Sequence, residues 1–427
     1  MTELQEVHYT TAGETIFRGR TDSGMEVLVA PRPGFSTASA HLGLRFGSVH
    51  TRFLDGSGKE ISVPDGSAHY LEHKLFEGKE EKVFDRFGRL GADFNGGTGF
   101  HSTTYHFSTS RNFSDALEVL LDFVLDPLIT EERVEKERGI IEQEVRMYED
   151  DPDYRSYFLL HRALYSNLPI RVSPGGRVSD VQAITATDLQ AAYDAFYLPS
   201  ALILAVSGDV DPETVFTQAQ ELALVREQTA GKHLPYSEPE AVAELWLEEE
   251  FSLARPRVLV GWREKASPGT GEAGLRRRLS ANLALDMMFG LSSPLHADLY
   301  DRGVVDDSFG HHYSDGPDHG YAAVAGSTED PESFVAEVKG AAISFLARGT
   351  VEKDLERLKR AALGGLAGSL ESPGALASAL LGSRLRDEEP FVARDLIPEV
   401  THEEVDSCAR ELLDPDRSAV AVLRPSL

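Results

Sequence analysis

Apolar and polar positions along this chain follow two periods, and the switches between them outline its elements. Over MEVLVAPR, ASAHLGLRF, TTYHFSTS and ALILAVSGDV the residues are β-branched, aromatic or alternating, the habit of strands. Phe113 to Phe123, Glu131 to Tyr148 and Thr187 to Phe196 space their apolar residues three and four apart, which predicts helices. Ser114 and Thr130, each with carboxylates close behind, are the expected N-caps. Hairpin-like strands followed by helices predict an α+β fold, a mainly antiparallel sheet packed on one side by helices.

The pattern occurs twice. SAHYLEHKLFEG (Ser67 to Gly78) lies over LSANLALDMMFG (Leu279 to Gly290) at an offset of 281 − 69 = 212. Further on, FSTSRNFSDALEVLLDFV lies over VAGSTEDPESFVAEVKGA, VEKERGIIEQEV from Val134 over VEKDLERLKRAA from Val351, and the segment from Ile184 over that from Val400. The same order at a nearly constant offset indicates two homologous halves. The polar stretch REQTAGKHLPYSEPEAVAE, Arg226 to Glu244, with two prolines and a glycine, reads as the join. The expected division is an N-terminal domain over 1–228, a linker over 229–243 and a C-terminal domain over 244–427.

Composition narrows the function classes. At 427 residues the chain exceeds one ordinary core, and 41% apolar residues suffice to bury more than one. Its formal charge of 42 − 70 = −28 argues against a nucleic-acid or anionic-membrane partner, and no basic patch with interleaved aromatics opposes that reading. One cysteine, Cys408, excludes an intrachain disulfide and suits a reducing compartment. Neither a secretory leader at the start nor a long uninterrupted apolar run is visible, so a cytoplasmic protein is expected.

HYLEHKLFEG, His69 to Gly78, carries the chemistry. On a helix, positions i, i+3 and i+4 share a face, so His69, Glu72 and His73 stand together while Leu71, Leu75 and Phe76 can reach a core. Two imidazoles on successive turns can ligate one Zn²⁺, and a carboxylate beside them can take a proton from water. Catalytic zinc needs a third ligand and an open position. VEKERGIIEQEVRMYEDDPDYR offers Glu137 and Glu144, 144 − 137 = 7 apart and so on one side of a helix. Glu144 is the expected ligand and Glu137 the partner that orients it or a histidine. The plainer reading, packed histidines and solvated glutamates, is countered by the repeat. At the equivalent positions the second half has Ala281, Ala284, Leu285 and Ala361, although both halves need a core.

These segments, with GADFNGGTGFHSTTYHFS, resemble the M16 (pitrilysin or insulinase) zinc metallopeptidases, whose motif is His-x-x-Glu-His with a distal glutamate. The likeness covers essentially the whole chain and is nearest to short bacterial subunits of the M16B type. It implies His69, His73 and Glu144 as zinc ligands, Glu72 as general base and Glu137 as an accessory acid. It also implies that Asn95, Gly96, Gly97 and Thr98 lie on an edge strand to which a peptide adds by main-chain hydrogen bonds, with Asn95 as an amide contact. A hairpin in which Gly96 and Gly97 serve only turn geometry is the alternative.

One departure stands out. Single-subunit members of the family carry an arginine and a tyrosine in the second half that hold the substrate. Here Leu299 to Ser308 places Tyr300 and Asp306 at those positions, with Arg302 two residues displaced. The resemblance therefore implies a heterodimer with a related, metal-free subunit that donates the pair, in preference to a homodimer, closing a chamber that admits short or unfolded peptides. Competing expectations are a non-catalytic peptide-binding or scaffold subunit, and a structural zinc site, which normally uses four ligands and often cysteine.

Overall fold

The computed structural model describes residues 4–225 and 228–426; Arg226 and Glu227, at the start of the expected join, lie outside the described residues. In chain order the first part contains β1 (Gln5–Tyr9), β2 (Glu14–Arg20), β3 (Glu26–Pro31), β4 (Ala38–Leu44), β5 (Arg52–Leu54), β6 (Glu60–Ser62), α1 (Ser67–Phe76), α2 (Val83–Leu90), β7 (Asp93–Thr98), β8 (Thr103–Thr109), α3 (Phe113–Leu125), α4 (Glu131–Glu149), α5 (Pro152–Leu164), α6 (Val178–Ala183), α7 (Ala186–Phe196), β9 (Ile203–Gly208), α8 (Pro212–Leu222) and β10 (Lys232–His233). The second contains β11 (Trp246–Phe251), β12 (Arg257–Arg263), α9 (Gly271–Phe289), α10 (Pro294–Asp301), β13 (Gly310–Asp315), β14 (Gly320–Ser327), α11 (Pro331–Arg348), α12 (Glu352–Gly368), α13 (Pro373–Leu385), α14 (Val392–Glu399), α15 (His402–Leu412) and β15 (Ser418–Pro425).

Two sheets share one topology. The first runs β1-β2-β3-β9-β4-β8-β7 and the second β11-β15-β12-β14-β13. The pairs β3/β9 and β11/β15 are parallel and the remaining pairs in both sheets antiparallel. Without β1 and β2 the strand orders correspond one for one, which is the α+β duplication expected from the sequence. A further small sheet, β10-β5-β6, takes Lys232 and His233 out of the expected linker and into a strand.

The compact units are not contiguous in sequence, and here the expected division at 228 and 244 needs correcting. One unit comprises the chain up to Val145, Ser173–Leu234 and Leu366–Phe391; the other comprises Arg146–Val172, Pro235–Gly365 and the chain from Val392. Each half has exchanged a helix with the other. In the first unit, Val27, Val29, Ala40, Leu42, Tyr105 and Phe107 point from the sheet toward α1, α3 and α7. Leu28, Ala30, Ile203 and Ala205 point the other way and would face water, but Leu376, Leu380 and Leu381 of α13 cover them. In the second unit α5 packs on β11, β12 and β15. The small residue beneath each exchanged helix repeats as well. A Cβ on Gly43 would lie 3.0 Å from Leu381, and one on Gly261 would lie 2.8 Å from Leu160.

The two N-caps expected from the sequence fare differently. Thr130 Oγ1 accepts the Arg133 amide at 3.4 Å, as expected at α4. Ser114 does not cap α3; that position falls to Asn112, which adopts φ 56°, while Ser114 binds Gln218. No helix among the described residues is long and apolar enough to cross a membrane.

Candidate metal centre and active site

Helix α1 has fewer than three turns, and its sides are committed differently. Ala68, Leu71 and Leu75 enter the core. The Tyr70 hydroxyl donates to the Val134 carbonyl at 2.5 Å and Lys74 Nζ to the Arg133 carbonyl at 2.7 Å, so both pin α1 to the first turn of α4. That docking leaves His69 and His73 facing α4, their ring centroids 4.7 Å apart.

From α4, Glu144 reaches both rings. Its Oε1 lies 3.6 Å from His69 Nε2 and its Oε2 lies 3.2 Å from His73 Nε2. Donor atoms of His69, His73 and Glu144 all fall within 4.8 Å of one another. One helical face supplies Glu137 as well, whose Oε1 stands 3.4 Å from His73 Nδ1. Val134, Ile141 and Val145 of α4 are buried and hold the helix at this angle. The three side chains of the cluster remain 14%, 23% and 24% exposed, so water reaches the site.

Charge in the site is strongly coupled. Burial alone disfavours a protonated His73, but hydrogen bonds to Glu137 and Glu144 outweigh it and raise its pKa to about 9. Hydrogen bonds with His69 and then His73 hold the Glu144 carboxyl far below the usual carboxylate range. Glu137 is lowered too, mainly by its bond to His73. Two ionised carboxylates thus face two imidazoles. Such a set of two nitrogens and one carboxylate suits zinc in a three-ligand site with a free position, and the residues present fit the ion.

Glu72 projects from α1 toward the edge strand β7 and is buried. Thr98 Oγ1 donates to its Oε2 at 2.7 Å. Among the described residues β7 pairs with β8 alone and ends the sheet, leaving a free edge beside Glu72. The four residues expected to meet substrate divide along it. Asn95 and Gly97 are exposed, and Asn95 Oδ1 accepts the Gly96 amide at 2.9 Å, whereas Gly96 and Thr98 are partly buried toward Glu72. Turn geometry does not account for the glycines, since the hairpin closes at Gly99, whose amide donates to the Ser102 carbonyl at 2.8 Å. Gly96 has a different reason to be glycine. A Cβ there would stand 2.7 Å from the Phe76 ring and 3.0 Å from Glu72 Oε1, while at Gly97 it would meet nothing within 4 Å.

In the second half Ala281, Ala284 and Leu285 are buried in the core of α9, and Ala361 of α12 is exposed. Tyr300 is exposed; Asp306 pairs with Arg255 at 3.0 Å and caps Ser308. Arg302 is bound by Asp298 at 3.0 Å and Glu337 at 2.9 Å. Reading the sequence alone missed the bond from Thr98 to Glu72, which no local pattern signals. Lys74 was missed as well, although a lysine set within Leu-Glu-His-Lys-Leu-Phe is a visible anomaly.

The family model described as Insulinase (Peptidase family M16) matches residues 47–173, and that described as Peptidase M16 inactive domain matches residues 183–362. The uncharacterized zinc protease YmfH of Bacillus subtilis is 33% identical over 99% of this chain and 99% of its own length. A crystal structure from Alicyclobacillus acidocaldarius, described as M16-like, superposes with a TM-score of 0.92 at 31% identity, covering 100% of this chain and 99% of the other. Pitrilysin shares the fold, with a TM-score of 0.78 at 17% identity, over 100% of this chain and 47% of the pitrilysin chain.

Proposed function

From the premise that the chain belongs to the insulinase family, peptidase family M16, we propose that it is a zinc-dependent endopeptidase acting on short or unfolded peptides. The observation that carries this reading is the convergence of His69, His73 and Glu144, the last 144 − 73 = 71 residues beyond the second histidine. Those three side chains would hold the metal. Zinc, when bound, supplies the Lewis acidity that makes water a nucleophile near neutral pH and polarises the scissile carbonyl.

The chain's own residues do the rest. A peptide adds in extended form to the free edge of β7, which brings its main chain alongside Glu72. Glu72 takes the proton of the attacking water and returns it to the leaving amine. Thr98 fixes one carboxylate oxygen, which keeps the other available for that transfer. Glu137, through Nδ1, orients His73. Recognition through main-chain bonds makes little demand on side chains, so a broad substrate range follows.

A partner completes the enzyme. Arg302 is held by two carboxylates, and Tyr300 and Asp306 stand where the family's substrate-holding arginine and tyrosine would be. The chain spans about half of pitrilysin, which fits a pairing of two such subunits around one chamber. A related subunit without the zinc motif supplies the missing pair, and a cytoplasmic setting suits the single free Cys408.

The test is a pair of variants. Glu72→Gln should retain zinc and lose peptide cleavage, and Glu144→Ala should lose zinc. Cleavage near the original rate by Glu72→Gln with full zinc would overturn the assignment of the base. Full turnover by the isolated chain would overturn the pairing.

A further inference from the structure

The buried lysine of α1 has no part in the chemistry just described, yet it touches the carboxylates that frame it. Lys74 has 0% side-chain exposure. Its ammonium donates to the Arg133 carbonyl at 2.7 Å, pairs with Glu77 Oε2 at 2.6 Å and stands 3.7 Å from Glu137 Oε2. Glu137 gives its other oxygen to His73 Nδ1, and His73 Nε2 faces Glu144. The chain of contacts therefore runs from Glu77 through Lys74, Glu137 and His73 to Glu144.

Volume alone does not explain a lysine here, and the docking bond to the Arg133 carbonyl uses only one of its three donors. Its helix neighbours Leu71 and Leu75 are core residues, and a straight apolar side chain such as methionine would fill the same space. Apolar replacements of buried ion pairs are often neutral or stabilising, so a buried charge suggests a task besides stability. Lys136 of α4 stands 3.6 Å from Glu77 Oε1, while Lys74 faces the Glu137 carboxylate.

We propose that Lys74 is a positioning residue of the metal centre: its buried ammonium braces Glu137 so that this carboxylate holds the His73 ring in its metal-ligating orientation. The inference rests on the reading of His69, His73 and Glu144 as the zinc ligands. Lys74 acts through Glu137 and touches neither metal nor substrate. Groups that orient a ligating histidine typically change metal affinity about 10–100-fold when removed.

Zinc affinity of the full chain, measured by competition with a chromophoric chelator, tests this without recourse to activity. Lys74→Met should weaken zinc binding about tenfold or more, and Glu137→Gln should do so to a similar degree. Because one residue acts through the other, Lys74→Met/Glu137→Gln should bind zinc no more weakly than Glu137→Gln alone. Should Lys74→Met fail to fold because Glu77 loses its 2.6 Å partner and keeps Lys136 at 3.6 Å, Lys74→Met/Glu77→Gln removes that charge and should show the same loss. Unchanged affinity in a folded Lys74 variant, or losses that multiply in the double variant with Glu137, would overturn the proposal. If His73→Ala leaves zinc binding unaltered, the ligand assignment itself fails, and the inference with it.

Discussion

Gly96→Ala adds one methyl group at the point where β7 passes closest to α1. The new Cβ would stand 2.7 Å and 2.9 Å from two carbons of the Phe76 ring and 3.0 Å from Glu72 Oε1. Carbon atoms pack best near 3.5–4.0 Å, so one side must retreat by about 1 Å. The ring cannot yield easily. Phe76 stacks on Phe123 with centroids 5.2 Å apart and touches Tyr105 and Phe94 at 5.6 and 5.9 Å. Overpacking of this kind costs about 1–3 kcal/mol, which in a unit of this size lowers Tm by about 3–9 °C. Glu72 moves in the same event, and a displacement near 1 Å at a reacting group lowers kcat by about a hundredfold. Differential scanning fluorimetry and initial-rate peptide cleavage, both relative to the unaltered chain, read the two effects. Gly97→Ala is the control, since its methyl meets nothing within 4 Å and Tm should hold within about 2 °C. Equal melting temperatures and cleavage rates for the unaltered chain and Gly96→Ala would refute the argument that this glycine exists to let the strand approach the base.

Thr98→Val removes the donor to Glu72 Oε2; a hydrogen bond to a charged group is worth about 1.5–3 kcal/mol, so kcat should fall at least tenfold with zinc content unchanged, and an unaltered kcat would contradict it. Leu380→Ala hollows the interface between α13 and the outer face of the first sheet, where Leu380 is 1% exposed. It should cost about 2–5 kcal/mol, read as lost hydrogen-exchange protection in β4 and β9. His161 is fully buried, and burial lowers its pKa to about 3 against the partial opposition of its bond to the Ile170 carbonyl at 2.7 Å. The unfolded chain takes up that proton near pH 6.5, so the stabilising contribution is complete above that pH and is lost as pH falls from about 6.5 toward 3. Urea titrations should show a slope of up to about 1.4 kcal/mol per pH unit in that window, flattened in His161→Asn.

Much of this was legible along the chain because it depends on short-range geometry. Helical periodicity alone puts His69, Glu72 and His73 on one face and Glu137 and Glu144 on another, and the helices found over Phe113–Leu125, Glu131–Glu149 and Ala186–Phe196 match their apolar spacing closely. The duplication was visible too, since both halves must satisfy the same sheet and helix contacts. Its asymmetry was equally plain, because Ala281, Ala284 and Leu285 keep the packing positions and discard the polar ones.

What lay beyond the sequence involves surfaces that come together only after folding. Apolar periodicity says that α5 and α13 each bury a face, but not against which sheet; a hydrophobic stripe carries no address, and the two units exchanged these helices. The edge position of β7, the hydroxyl of Thr98 on Glu72 and the close approach at Gly96 arise from strand order, which ladder pairing between distant segments determines. Lys74 is the clearest case. Its residue type announced a charge in an apolar run, and only the docking of α1 on α4 enclosed that charge between Glu77 and Glu137, in a place where an unpaired ammonium could not remain.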